Sequence, residues 1–248
     1  MIKRMYPIQK ASRSEFVPIR HLRYHVRQWG TPSPDKTPLV MVHGWMDVSA
    51  SFQFVIDAMR QDHWVIAPDW RGFGLTETPH TDNYWFPDYL ADLDFLLDHY
   101  VGDRPVNLVG HSMGGMSIIA WAGRHPDEVK KYASAVMLAS TASERLIAET
   151  TVIPLPNRFP RVPVPVGRAI LSSPVPFVSS GAMTKAIQYV SMSPNATKAE
   201  IQFCENIVRE CKPRIRGGWG AALSTLDIHE GLDNLEVPTT VRVPCRMM

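Results

Sequence analysis

The 248-residue chain has no stretch approaching the roughly 18 to 20 uncharged apolar residues that a membrane helix needs. It has no basic block either. Lys+Arg 26 against Asp+Glu 24 leaves a formal charge of +2, which gives no electrostatic reason to expect nucleic acid as a partner. Its three cysteines, Cys204, Cys211 and Cys245, cannot all pair, and no C-x-x-C or Cys/His cluster suggests a metal. The opening MIKRMYPIQK is basic but lacks the apolar run of a secretory signal. The expectation is a cytoplasmic protein with neither metal nor cofactor. Repeats and low-complexity segments are missing as well. What is present is a globular composition, 45% apolar and 20% charged, which excludes wholesale disorder and fits one domain or a domain carrying an insertion.

Short apolar runs alternate with helical spacing over the first 140 or so positions. Pro38 to His43, Trp64 to Ala67, Pro105 to Gly110 and Ala133 to Ala139 read as buried strands. Between them, residues 49–60, 88–100 and 113–124 place apolar side chains at helical intervals. Residues 15–29 read as two antiparallel opening strands. This rhythm means α/β architecture, a mainly parallel sheet with helices on both faces. After Thr141 the texture changes. Seven prolines between Pro154 and Pro176 exclude regular helix or central strand there. Helical patterns follow at 181–192, 197–211 and 218–229, and Val237 to Val243 resembles a last strand. The expected organisation is a core of 1–142 and 216–248 with 143–215 as a cap insertion.

Gly110-His111-Ser112-Met113-Gly114 has the form G-x-S-x-G and falls between a strand and its helix. Such a turn needs small residues so that the backbone can reverse. It holds the serine hydroxyl at the carboxyl edge of the sheet, where the helix N-terminus favours a developing oxyanion. Taken alone, the pentad reads equally as a glycine-rich turn with a serine N-cap. His43-Gly44-Trp45 ends the earlier strand, where a second oxyanion donor would be supplied. With Asp69-Trp70-Arg71-Gly72-Phe73-Gly74 as a third block, the chain resembles the α/β-hydrolase superfamily over roughly residues 20–141.

That resemblance implies Ser112 as nucleophile, with the backbone N–H groups of Trp45 and Met113 as oxyanion hole. His43, Gly44, Gly110, His111 and Gly114 would support the motifs, and the Asp69–Gly74 block would shape a turn. Serine at this position points to acyl transfer on a small-molecule ester, because relatives that displace an alkyl group carry aspartate there. Carbon–carbon hydrolases and cofactor-free haloperoxidases share the serine and stay open. The apolar side chains Ile187, Val190, Ile201, Phe203, Ile207 and Val208 either line an acyl pocket or glue the insertion to the core.

A serine hydroxyl needs a histidine to take its proton and an acid to orient that histidine. The family pattern V-P-T-x-V-x-x-G-x-x-D begins at Val237-Pro238-Thr239-Thr240-Val241 and then diverges into Arg242 to Met248. The resemblance therefore implies a chain lacking its acid and histidine, a truncated or frameshifted product with little activity. Glu144 and His229 are the weak substitutes, and surface roles are the simpler reading of both. A non-catalytic protein that binds an apolar ligand or a partner is the rival hypothesis. Without further strands, a sheet edge near 133–139 or 237–243 would lie unpaired and open to self-association.

Overall fold

β-Branched and aromatic residues at alternating positions draw the start of the chain into a hairpin. β1 (Arg13–Ile19) and β2 (Leu22–Trp29) pair antiparallel from Arg13↔Gln28 to Ile19↔Leu22. The computed structural model describes residues 11–79, 86–144, 146, 163–178 and 180–243. The tail beyond Val243 with Cys245, the opening residues and the prolines at 154, 156 and 160 lie outside the described residues.

The remaining strands are β3 (Leu39–Val42), β4 (Val65–Pro68), β5 (Val106–His111), β6 (Ala133–Ala139) and β7 (Thr239–Arg242). They form one seven-stranded sheet in the order β1-β2-β4-β3-β5-β6-β7. Every pairing from β4 onward is parallel, while β2 meets β4 antiparallel. Parallel neighbours need crossovers, and helices supply them: α1 (Gln53–Met59), α2 (Phe86–Val101), α3 (Met113–Arg124) and α4 (Pro126–Tyr132).

Both faces of the sheet are covered, as the near-continuous apolar strands require. Leu39 and Met41 of β3 join Phe52, Ile56, Val65 and Ala67 in one cluster on the α1 side. Val40 and Val42, alternating with them, join Leu93, Leu97, Leu108, Ile118 and Leu138 on the α2 and α3 side. Each such side chain, fully buried, contributes about 1.5–3 kcal/mol.

The region after Ser143 differs from the expectation in two places. The proline-rich stretch does contain a helix, α5 (Val164–Leu171), with Pro163 as N-cap and Pro165 in the first turn. Proline costs nothing there because those N–H groups have no intrahelical acceptor. The helix expected at 218–229 is instead α8 (Pro213–Leu223), again opened by a proline, and it buries Ile215, Trp219 and Leu223 one turn apart. A short 3-10 turn, His229–Leu232, follows. Between lie α6 (Gly181–Ser191) and α7 (Lys198–Glu210), where they were expected. Phe203 of α7 meets Phe54 of α1 edge-on at 5.3 Å, so this apolar side chain joins the two layers.

The unpaired edge is not at residues 133–139. β6 is covered by β7 from Val136↔Thr239 to Ala139↔Arg242, and the last strand in the order is β7. All four β7 residues are exposed.

Candidate active site

β3, β5 and β6 run parallel and stop together, so three loops meet at one edge of the sheet. They begin at His43, Ser112 and Ser140. The chain passes from β3 outward to β4 and then back across to β5, so the crevice between β3 and β5 is a topological switch point. Ligands bind at such points in open α/β sheets.

Ser112 sits at the junction of β5 and α3 with φ 53 and ψ −120. This is a rare conformation for a side-chain-bearing residue, and it persists only where the surroundings hold it. The glycines around it show how. A Cβ on Gly110 would come within 2.5 Å of Gly115 backbone, and one on Gly115 within 2.7 Å of Thr141. On Gly114 it would overlap the Val42 carbonyl. The turn is therefore closed by backbone-to-backbone packing at Gly110 and Gly114 and by the Thr141 side chain at Gly115. Ser112 N–H donates to Ala139 O at 2.9 Å, and the Thr141 hydroxyl donates to Ser112 O at 2.8 Å. Gly115 and Met116 N–H groups close the first turn of α3 onto Ser112 O. The helix geometry gives Met113 N–H no intrahelical acceptor.

The His43–Val48 loop lies against this turn. A Cβ on Gly44 would stand 3.0 Å from Ser112 Cβ and 3.4 Å from His111 Nδ1. His43 is fully buried. Its Nε2 accepts the Trp70 N–H at 2.9 Å, so Nδ1 carries the proton and donates to Gly44 O at 2.8 Å. His43 thus clamps the loop to the Asp69–Gly74 turn and is spent as a structural residue. Trp45 donates its indole N–H to Arg216 O of α8 at 3.1 Å. His111 is half exposed, and its Nδ1 faces the Asp47 carboxylate at 3.8 Å.

Asp69 and Arg71 make buried networks of their own. Asp69 accepts from His25 Nδ1 at 2.7 Å, Ser49 N–H at 2.7 Å and Leu75 N–H at 3.0 Å. Burial alone would raise its pKa, but the His25 hydrogen bond and the nearby histidines outweigh that and bring it down to about 2. Arg71 pairs with buried Asp92, which also accepts the Tyr24 hydroxyl. Burial pushes the Asp92 carboxyl up despite the guanidinium.

Glu144 and His229 come together, and Asp227 joins them. One ligand atom from each lies within 4.8 Å of the others, the group among the described residues that could hold a metal ion. All three are exposed. Asp227 Oδ1 engages His229 Nδ1 at 2.9 Å. This hydrogen bond, with the negative charges of Asp227, Glu144 and Glu230, raises the His229 pKa against the opposing effect of desolvation. The following turn is seated on the middle of α3: a Cβ on Gly231 would overlap Ile119 O and reach Gly123 N at 3.1 Å. Ile119 is seven residues past Ser112, about 10 Å along the helix. Among the described residues no hydrogen bond joins Ser112 to His229. Sequence reasoning missed Asp47, Thr141 and Asp227. Only Asp47 left a local signal, two residues after Trp45.

A family model described as alpha/beta hydrolase fold matches residues 37–169. Among curated relatives, 2-hydroxy-6-oxo-2,4-heptadienoate hydrolase of Pseudomonas putida is 38% identical over 97 residues, 38% of this chain and 35% of that protein. A serine hydrolase-like protein of Danio rerio is 34% identical over 121 residues, 47% of this chain and 36% of that protein. The matches thus span about a third of the length of these relatives. Two of the solved structures that share the fold illustrate the likeness. An esterase from Exiguobacterium antarcticum has a TM-score of 0.72 at 19% identity, with 91% of this chain and 79% of that one covered. The enol-lactonase of Burkholderia xenovorans has a TM-score of 0.70 at 18% identity, covering 92% and 80%.

Proposed function

The chain belongs to the α/β-hydrolase fold family, and from that membership we propose that it is a serine hydrolase of carboxylic esters. Ser112 attacks the acyl carbonyl, the N–H groups of Trp45 and Met113 hold the oxyanion, and water clears the acyl-enzyme. The observation that carries this reading is the strained Ser112 backbone at the head of α3, closed by glycines that no other residue could replace without a clash. A turn that merely capped a helix would need neither the strain nor the packing.

The proton-handling half is the weaker one. His43 is committed to Trp70 and Gly44, and the exposed His229 is hydrogen-bonded to Asp227. Acylation and turnover are therefore both expected to be slow, because the triad histidine takes the serine's proton during attack, and removing it costs on the order of 10⁶ in turnover while leaving about 10³ to 10⁴ over water. A panel of p-nitrophenyl esters tests this: nitrophenolate should appear slowly, without a fast burst, and the acyl adduct seen by intact mass should be missing from Ser112→Ala. An equal acyl adduct on Ser112→Ala would end the proposal.

A carbon–carbon hydrolase is the second reading, supported by the Pseudomonas putida relative. A vinylogous diketone cleaved faster than the esters would favour it. A non-catalytic binder is supported instead by the exposed Val166, Ile170, Val175 and Val178. Ligand binding that survives Ser112→Ala would favour that role. The exposed β7 edge supports self-association, and the free thiols of Cys204 and Cys211 are compatible with a reducing compartment. Among the described residues no helix is long and apolar enough to cross a membrane.

A further inference from the structure

We propose that His111 and Asp47 are a positioning pair that sets the distance between the two oxyanion donors. The inference rests on the oxyanion hole proposed above and adds what holds it together. The two N–H groups come from separate loops. Met113 is fixed by α3, whereas Trp45 belongs to the His43–Val48 loop, which must be brought to the right place over Ser112.

That loop is not relaxed. Met46, directly after Trp45, has φ 55, a left-handed value that a side-chain-bearing residue keeps only when both neighbours are tied down. On the Trp45 side the tie is the indole N–H to Arg216 O. On the other side it is Asp47. One oxygen, Oδ1, accepts from Val48 N–H at 2.8 Å and from the Ser51 hydroxyl, which fixes the carboxylate to the start of the 3-10 turn Ser49–Phe52. The other, Oδ2, is left for His111 Nδ1 at 3.8 Å. Between them the Gly44 backbone passes close to both Ser112 Cβ and the His111 ring.

His111 directly precedes Ser112, so its ring moves with the turn that aims the serine. An attraction from His111 to Asp47 therefore couples the serine's turn to the loop carrying Trp45, with Met46 strained between the two ties. Asp47 is suited to the task. Burial would raise its pKa, but His111 and His43 lower it below the usual carboxylate range, so it stays charged at neutral pH. His111 touches no reacting atom in this scheme. It acts through the loop.

The rate at which a fluorophosphonate labels Ser112 reports the geometry of the hole, since the adduct's oxygen occupies it. His111→Ala and Asp47→Ala should each slow labelling roughly tenfold, the scale of a small misplacement of a stabilising group. The double variant should be no slower than the slower single one, because one tie has been cut twice. His111→Asn keeps a donor near the Nδ1 position and should recover most of the lost rate. A purely packing role for His111 would not give that recovery. Unchanged labelling in His111→Ala, multiplying losses in the double variant, or an asparagine as slow as the alanine would each overturn the pair. If wild-type Ser112 is not labelled at all, the nucleophile reading falls on its own. The pair is then judged by amide hydrogen exchange of residues 44–48, which should quicken in both alanine variants; unchanged exchange there overturns it.

Discussion

The turn at Ser112 and the turn at His229 both meet α3, yet they are built by opposite means. The first is held by backbone packing, with glycines at 110, 114 and 115 where any side chain would collide and with a serine forced to φ 53. The second leads into a 3-10 turn, where Asp227, His229 and nearby Glu144 are all exposed and one ion pair joins Asp227 to His229. The contrast separates two requirements of acyl transfer. An electrophile-holding site can be written into the sheet edge and the helix end, where geometry is rigid. Proton transfer depends on side chains carried by loops, where position is loose and a partner is easily lost.

The contrast breaks first if the packed turn proves tolerant. Gly114→Ala should lose about 3 kcal/mol or more, because the added methyl meets the Val42 carbonyl instead of a side chain that can move. Urea unfolding of the variant measures this, and a loss below half that figure would mean the turn can relax.

A second test concerns the network behind the His43–Val48 loop. The folded pKa of Asp69 is about 2, below its ordinary 3.8. Its contribution is therefore present above pH ~4 and is lost as pH falls toward about 2; at 1.36 kcal/mol per unit it amounts to about 2 kcal/mol. Thermal melts across that window should show the loss in wild type and a much flatter profile in Asp69→Asn.

The exposed turn should give the smallest effect. His229→Ala and Asp227→Asn are expected to leave the melting temperature within measurement error and the labelling of Ser112 unchanged, as for most exposed ion pairs. A His229→Ala variant that stops labelling would move this cluster into the catalytic machinery and erase the contrast.

The same division explains what could be read in advance. Strand runs such as Leu39–Val42 and Val106–His111, and the G-x-S-x-G turn between β5 and α3, carry their structure in local residue order, so the sheet and the Ser112 turn were legible. α5 and the start of α8 were not: the proline run at 154–176 argues against helix where Pro165 lies in the first turn of α5, and Pro213 opens α8 five residues before the expected start. The sequence leaves the edge open between 133–139 and 237–243, because pairing over a hundred residues leaves no local trace, and the structure puts it at β7. Asp47 and Asp227 gained their meaning only from His111 and His229 beside them. A lone aspartate in sequence says nothing of its neighbour in space.

The most direct test is intact-mass analysis of the folded chain after exposure to a fluorophosphonate, with the modified peptide sequenced. The account predicts a single adduct on Ser112, formed by wild type and His229→Ala and missing from Ser112→Ala. Labelling elsewhere, or none on Ser112 in a chain that melts cooperatively, would contradict it.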